Sequence, residues 1–135
     1  MNSKQFGNLG EKIAENYLRK KGYQILDRNY SFRIAGNPQK GEIDIVAKKD
    51  GIISFIEVKT LQPIRYIKFG REQFSAISPE EKVNFNKQKK LVKTAESWLM
   101  KNKISLDTQW QIDIIAIEIS QDNKAKIRHL KNAVF

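Results

Sequence analysis

The sequence predicts one mixed α/β (α+β) domain over residues 1–135. A helix, three strands, a second helix and a fourth strand follow in order (αβββαβ), with a short final strand after them. Three observations predict it. Asp50-Gly51 sits between two apolar runs and marks a two-residue hairpin, because both central positions of a type I′ turn need φ > 0. An apolar stripe at helical spacing precedes the hairpin, and another follows it. After the second stripe comes the buried run Trp110 to Ile119, so a helical crossover joins it to the second hairpin strand and the two should pair in parallel.

The first helix is expected over Ser3 to Lys21. Phe6, Leu9, Ile13, Ala14, Tyr17 and Leu18 make its stripe, Asn2 or Ser3 caps it, and Gly22 ends it. Tyr23 to Phe32 reads as the first strand. Ile34 to Lys40 is punctuated by Gly and Pro and reads as a loop. The hairpin follows from Gly41 to Lys59. Its turn end is apolar on both faces, which places it centrally in a sheet covered on both sides.

Thr60 to Ile77 has no clean period and reads as a long loop in which Arg65, Tyr66, Lys68, Phe69, Arg71 and Phe74 interleave charge and aromatic surface. Such a loop can meet phosphates and stack on bases, or it can fold its aromatics back onto the core. Phe69-Gly70 offers a hinge. Ser78-Pro79-Glu80-Glu81 is a helix start with a capping box, and the helix should run to Lys101. Its apolar stripe is Leu91, Val92, Ala95, Trp98 and Leu99, with Val83 earlier, while Lys82, Lys87, Lys89, Lys90 and Lys93 are spread around its first half with Gln88 among them. Those lysines are either a solvated face or phosphate contacts. Lys124 to Leu130 is a short, basic last strand expected at an edge. His129, the one histidine, reads as a surface strand residue, which leaves little room for histidine-based chemistry.

Within the hairpin, a two-residue loop sets Lys49 against Ile52. Counting outward puts Asp44 opposite Glu57 and Glu42 opposite Lys59, all four on one face. Ile43, Ile45, Ala47, Ile52, Ile56 and Val58 fall on the other. Directly opposed Cβ atoms lie about 4.5–5.5 Å apart, where like charges repel. A divalent cation between Asp44 and Glu57 is the simplest reason for two carboxylates there, Mg²⁺ or Mn²⁺ by the oxygen-only donor set. Lys59 then points at the same place, and Glu11 on the first helix lies at the edge of the packed face. Carboxylate-held metal and a lysine are the apparatus of phosphodiester hydrolysis. The alternative is a salt-bridge network at the sheet's end, with Asp44 and Glu57 paired to Lys59 and Arg33.

Composition narrows the partners. Net charge is +10 with pI near 9.8, which favours polyanions, nucleic acid before acidic membrane surface. The chain has no cysteine, so disulfide frameworks, thiolate metal sites and cysteine nucleophiles are excluded, in keeping with a cytoplasmic setting. MNSKQFGNLGEK lacks an apolar signal core, and no apolar run approaches ~20 residues, so neither a secretory signal nor a membrane span is expected.

The order of short motifs resembles a known family. Gly7-x-x-Gly10-Glu11-x-x-Ala14-x-x-Tyr17-Leu18, Gly22-Tyr23-x-Ile25-Leu26-x-Arg28-Asn29-Tyr30, Gly41-Glu42-Ile43-Asp44-Ile45-Val46-Ala47 and Phe55-Ile56-Glu57-Val58-Lys59-Thr60 are similar to the YraN family. Phe69-Gly70, Lys87-Gln88-x-Lys90-Leu91 and Ile112-Asp113-Ile114-Ile115-Ala116 continue the match. The family is a set of small bacterial proteins related to archaeal Holliday-junction resolvases. The resemblance implies a restriction-endonuclease-like three-layer fold with a PD-(D/E)xK site. Asp44 matches the motif aspartate, Glu57 and Lys59 match E-x-K, and Glu11 matches the acidic residue of the first helix. Ile43 stands where the motif's proline would be, as is common in this branch.

Two classes of function follow. One is a metal-dependent endonuclease on DNA, with branched DNA among its candidate substrates and a homodimer implied if two strands are cut symmetrically. The other is a nucleic-acid-binding module that keeps the fold and charge without cutting. A basic face for an acidic protein is a third reading.

Overall fold

The computed structural model describes residues 2–33, 35–36, 40–61, 66–68, 71–73, 85–120, 122 and 124–134. Helix α1 spans Ser3–Lys20. Asn2 caps it, and a capping box is closed by Gln5. Its end is closed by Gly22 N–H donating to the Arg19 carbonyl and Tyr23 N–H to the Leu18 carbonyl, the pairing of a Schellman motif. Strand β1 (Gln24–Arg33) follows, then β2 (Lys40–Lys49) and β3 (Ile52–Leu61). Asp50 (φ 52°) and Gly51 (φ 78°) form the two-residue turn expected between β2 and β3.

The stretch expected to be a featureless loop contains a small antiparallel ribbon, β4 (Tyr66–Lys68) with β5 (Arg71–Gln73). Three-residue strands are too short to show a period of two in the sequence. Helix α2 spans Phe85–Lys101; the predicted capping box at Ser78 to Glu81 and the Phe69-Gly70 hinge lie outside the described residues. Strand β6 (Gln109–Ile119) pairs parallel with β3, as the crossover argument requires. Strand β7 (Ala125–Val134) is longer than expected, ten residues rather than a short ending. Its far half continues past an irregularity in its ladder with β6, where alternation is lost.

The large sheet has the order β1-β2-β3-β6-β7, so the β2–β3 hairpin is central and β7 is an edge. One face carries Val46, Ile53, Phe55, Ile112 and Ile114 against Leu91, Ala95 and Trp98 of α2. Phe55 meets Trp98 and Trp110 edge to face, with ring centroids 5.6 and 5.7 Å away. The other face carries Ile45, Ala47, Ile56, Ile115 and Ile117 against Ala14 and Leu18 of α1. The result is a three-layer α+β core, helix on sheet on helix. Among the described residues no helix is long and apolar enough to cross a membrane.

Two glycines let both helices close onto the sheet near one point. A Cβ on Gly10 of α1 would lie 1.8 Å from the Thr60 hydroxyl of β3. A Cβ on Gly41 of β2 would lie 2.0 Å from the Thr94 hydroxyl of α2. Only hydrogen fits at either position. Asp44 lies three residues beyond Gly41, on the strand beside the one that carries Thr60.

Candidate active site

The β2–β3 ladder runs from Lys49–Ile52 to Ile45–Ile56 and ends there. Asp44 and Glu57 are the next residues on each strand, and the expected face-to-face pair is not formed by ladder bonds. Instead the Val58 backbone N–H donates to Asp44 Oδ2 at 2.7 Å. On the β1 side, Asp44 sits between the Arg28–Ile45 and Tyr30–Ile43 pairs, opposite Asn29, whose φ is 50°. The side-chain alternation slips at this point. Ile43 packs with α2, and Ile45, two residues on, packs with α1. In a regular strand the two would share a face. The expectation that Ile43 joins Ile45 is therefore corrected, as is the single face for Glu42, Asp44, Glu57 and Lys59. Glu42 is exposed and pairs with Lys40 at 3.5 Å, not with Lys59.

The slip puts Asp44 where both helical layers reach it. On the α2 side, a cavity of about 410 Å³ is lined by Asp44, Glu57, Glu42, Lys40, Lys87 and Lys90, with Asn86 and Leu91. On the α1 side, a second cavity of about 530 Å³ is lined by Glu11, Asp44, Val58 and Thr60 together with residues of the first turns of α1. Glu11 and the Asp44 carboxyl share this cavity. Burial first, then the Glu57 charge, pushes the Asp44 carboxyl up to about 8, with Glu11 adding to the push and the Val58 N–H opposing it.

Glu57, with a side chain only 9% exposed, is held by two ammonium groups on the same oxygen. Lys59 Nζ lies 3.0 Å and Lys87 Nζ 2.8 Å from Oε1. Burial lowers the Lys59 ammonium, with the neighbouring Lys87 adding to that and Glu57 opposing it. Burial also pulls on Lys87, but its hydrogen bond to Glu57 and the charges of Glu57 and Asp44 outweigh this and raise it. Half of the salt-bridge reading thus stands, with Lys87 in the place given to Arg33. Arg33 instead lies opposite Lys40 on the β1–β2 ladder.

Asp44, Glu57, Lys59 and Glu11 are therefore brought together, and Lys87 and Lys90 of α2 join them. Gln88 and Lys89 also lie on α2 but do not line the cavity. Lys68 and Arg71 belong to the β4–β5 ribbon, and Arg65 lies outside the described residues. Sequence reasoning missed Gly10, Gly41, Thr60 and Thr94, which set the approach of the helices, and Lys40 on the cavity wall. The Gly10–Thr60 pairing leaves no trace in local pattern, because the partners are fifty residues apart.

In chemistry the donors fit a hard divalent cation: carboxylates only, crowded and partly buried. A cation would offset the burial and the Glu57 charge that together raise Asp44. As the side chains stand, no three of His, Cys, Asp or Glu among the described residues are arranged as a metal-binding group, and Glu57 is turned onto its two lysines.

His129 departs from expectation. Its side chain is 4% exposed, and Nε2 lies 2.8 Å from Oδ2 of the fully buried Asp113. Asp113 also accepts from Gln111 Nε2 and the Asn132 N–H at 2.9 Å, and Tyr17 OH meets His129 Nδ1 at 3.1 Å. Position near the C-terminus suggested surface, but the inward face of β7 against α1 decides burial.

Fold and cluster together define a three-layer α+β domain with a D…E-x-K constellation at a splayed pair of central strands. The chain belongs to the family described as Uncharacterised protein family UPF0102, the YraN family, whose model matches residues 10–117. A UPF0102 protein of Clostridium tetani is 43% identical over 98% of both chains. One of Clostridioides difficile is 38% identical over 98% of this chain and 99% of its own. One of Caldanaerobacter subterraneus is 36% identical over 98% and 97%.

Proposed function

We propose that this protein is a cytoplasmic, Mg²⁺- or Mn²⁺-dependent endonuclease that hydrolyses DNA phosphodiester bonds. The observation that carries the reading is the convergence of Asp44, Glu57, Glu11 and Lys59 where the central ladder opens, beside a cavity walled by lysines. Asp44 and Glu57, with Glu11 from α1, would hold the metal. When bound, the ion polarises the phosphate and lowers the pKa of a water. Lys59 orients that water or meets the charge that develops on the phosphate. Lys40, Lys87 and Lys90 line the cavity and offer positive charge to the DNA backbone; Gln88 and Lys89, between the latter two on α2, would add contacts, and Arg65, Lys68 and Arg71 would follow from the preceding segment. Branched DNA cut on two strands calls for a homodimer, since one chain carries one such cluster among its described residues.

A second reading is a non-catalytic nucleic-acid-binding module. It is favoured by the pairing of both Lys59 and Lys87 to Glu57, which satisfies the carboxylate without metal. The test is to incubate the protein with labelled four-way junction, flap and linear duplex DNA, with Mg²⁺, Mn²⁺ or EDTA, beside Asp44→Ala and Lys59→Ala. Cleavage that needs metal and is lost in both variants is expected. Tight binding without cleavage by the wild type would leave the binding module standing.

A further inference from the structure

Glu57 Oε1 is shared by two ammoniums that reach it from different places. Lys59 is two residues away on the same strand, with a side chain 20% exposed. Lys87 arrives from α2, across the cavity, and is 38% exposed on a long flexible stem. It has somewhere to go: the same cavity continues to Lys90 and Lys40.

Charge counting makes one of the two surplus. Lys59 and Lys87 already place two ammonium groups on one oxygen of Glu57. A divalent cation held by the same carboxylate would set two further positive charges against them, and a phosphodiester offsets one. In a site this buried such an imbalance is costly, so an ammonium must leave Glu57 when a cation enters, and an incoming phosphate is its natural partner. Of the two lysines, only Lys87 is on the opposite wall.

We propose that Lys87 is an exchangeable ammonium: it holds Glu57 while no divalent cation is bound and passes to a substrate phosphate when one is. Lys87 is then the site's own competitor for metal, and its transfer makes metal and DNA bind cooperatively. This rests on the metal-dependent reading above and adds the residue that couples its two ligands.

The test uses the full chain and Mn²⁺, whose free concentration is read by electron paramagnetic resonance, first alone and then with a short phosphorothioate duplex. Lys87→Met keeps the stem and removes the charge. It should bind Mn²⁺ alone about tenfold tighter than wild type, the scale seen for neighbours of metal ligands. The duplex should tighten Mn²⁺ binding to wild type by about tenfold and leave Lys87→Met nearly unchanged. Lys87→Gln should behave the same way and replaces the methionine variant if that one melts early. Mn²⁺ binding by a folded Lys87 variant that equals or falls below wild type overturns the proposal, and so does the absence of Mn²⁺ binding by both. A wild type that binds Mn²⁺ through Asp44, shows the Lys87 shift and cuts no DNA refutes the nuclease and leaves the exchange standing. An active nuclease indifferent to Lys87 in Mn²⁺ binding does the reverse.

Discussion

The backbone N–H of Val58 donates to Asp44 Oδ2 at 2.7 Å, at the step where β2 and β3 cease to pair. A side chain here takes the hydrogen bond that a strand carbonyl would otherwise accept. The bond fixes Asp44 between the helical layers and keeps the opened backbone satisfied.

Asp44→Asn separates that structural task from the chemical one. The amide oxygen still accepts from Val58, and the crowding with Glu57 and Glu11 is gone. The variant should melt at or above the wild-type temperature in EDTA, while metal-dependent cleavage falls by at least about a thousandfold. Asp44→Ala should lose the cleavage and also about 1 kcal/mol, the bond to Val58. Thermal melts beside a cleavage assay check both, and a stable, active Asn variant would remove Asp44 from the chemistry.

Gly10→Ala should push α1 off β3. The new methyl would lie 1.8 Å from Thr60 Oγ1 and 2.8 Å from its Cβ, a contact that must be relieved by moving backbone. Overpacking of this kind costs about 1–3 kcal/mol, and it moves Glu11 away from Asp44. Adding Thr60→Gly removes the obstacle and should recover most of the stability, beyond what the two single changes sum to. Urea denaturation of the four-member cycle measures it; additive effects would show that the helix is placed by something else.

Asp113→Ala should be among the most damaging single changes outside the site. It strips partners from His129, Gln111 and the Asn132 N–H in a buried setting. A loss of roughly 3 kcal/mol or more is expected. Tyr17→Phe removes only the outer hydroxyl of the chain and should cost about 1 kcal/mol. Equal losses in the two variants, read by denaturant titration, would contradict the ranking.

Glu15 gives the fold an acid-sensitive tie. Arg28 first and Arg19 second hydrogen-bond its carboxylate and hold it down at about 2, against an ordinary 4.5. Because the folded value is the lower one, the unfolded chain binds the proton first. The stabilisation is complete above about 4.5 and is lost as pH falls toward and through about 2. Glu15→Gln should lower the melting temperature by roughly 2–4 °C at neutral pH, as surface networks do in a domain of this size. The gap should close in that acid window and narrow in high salt. A gap unchanged at pH 2 would mean that packing, not charge, is lost.

Most of the fold was legible because local chemistry encodes it. The Asp50-Gly51 turn sets the hairpin, the 3.6-residue stripes set α1 and α2, and the crossover dictates the parallel β3–β6 pair. The β4–β5 ribbon was not legible, since three residues carry no period. The turn register also predicted that Asp44 and Glu57 approach each other, but it extended regular pairing one step too far. The ladder ends at Ile45–Ile56 beside Asn29 of β1, where helices approach the sheet from both sides.

By itself, then, the sequence determined the order of elements, the central hairpin, the basic charge and the residue types gathered near its open end, because each follows from neighbours along the chain. Tertiary structure alone decided that Glu11 reaches Asp44, that Lys87 rather than Arg33 joins Lys59 on Glu57, and that His129 is buried on Asp113. His129 and Asp113 lie sixteen residues apart on neighbouring strands, whereas the first two contacts join elements far apart in sequence. They are set by how closely two glycine-bearing surfaces let the helices approach the sheet, a distance that no local pattern records.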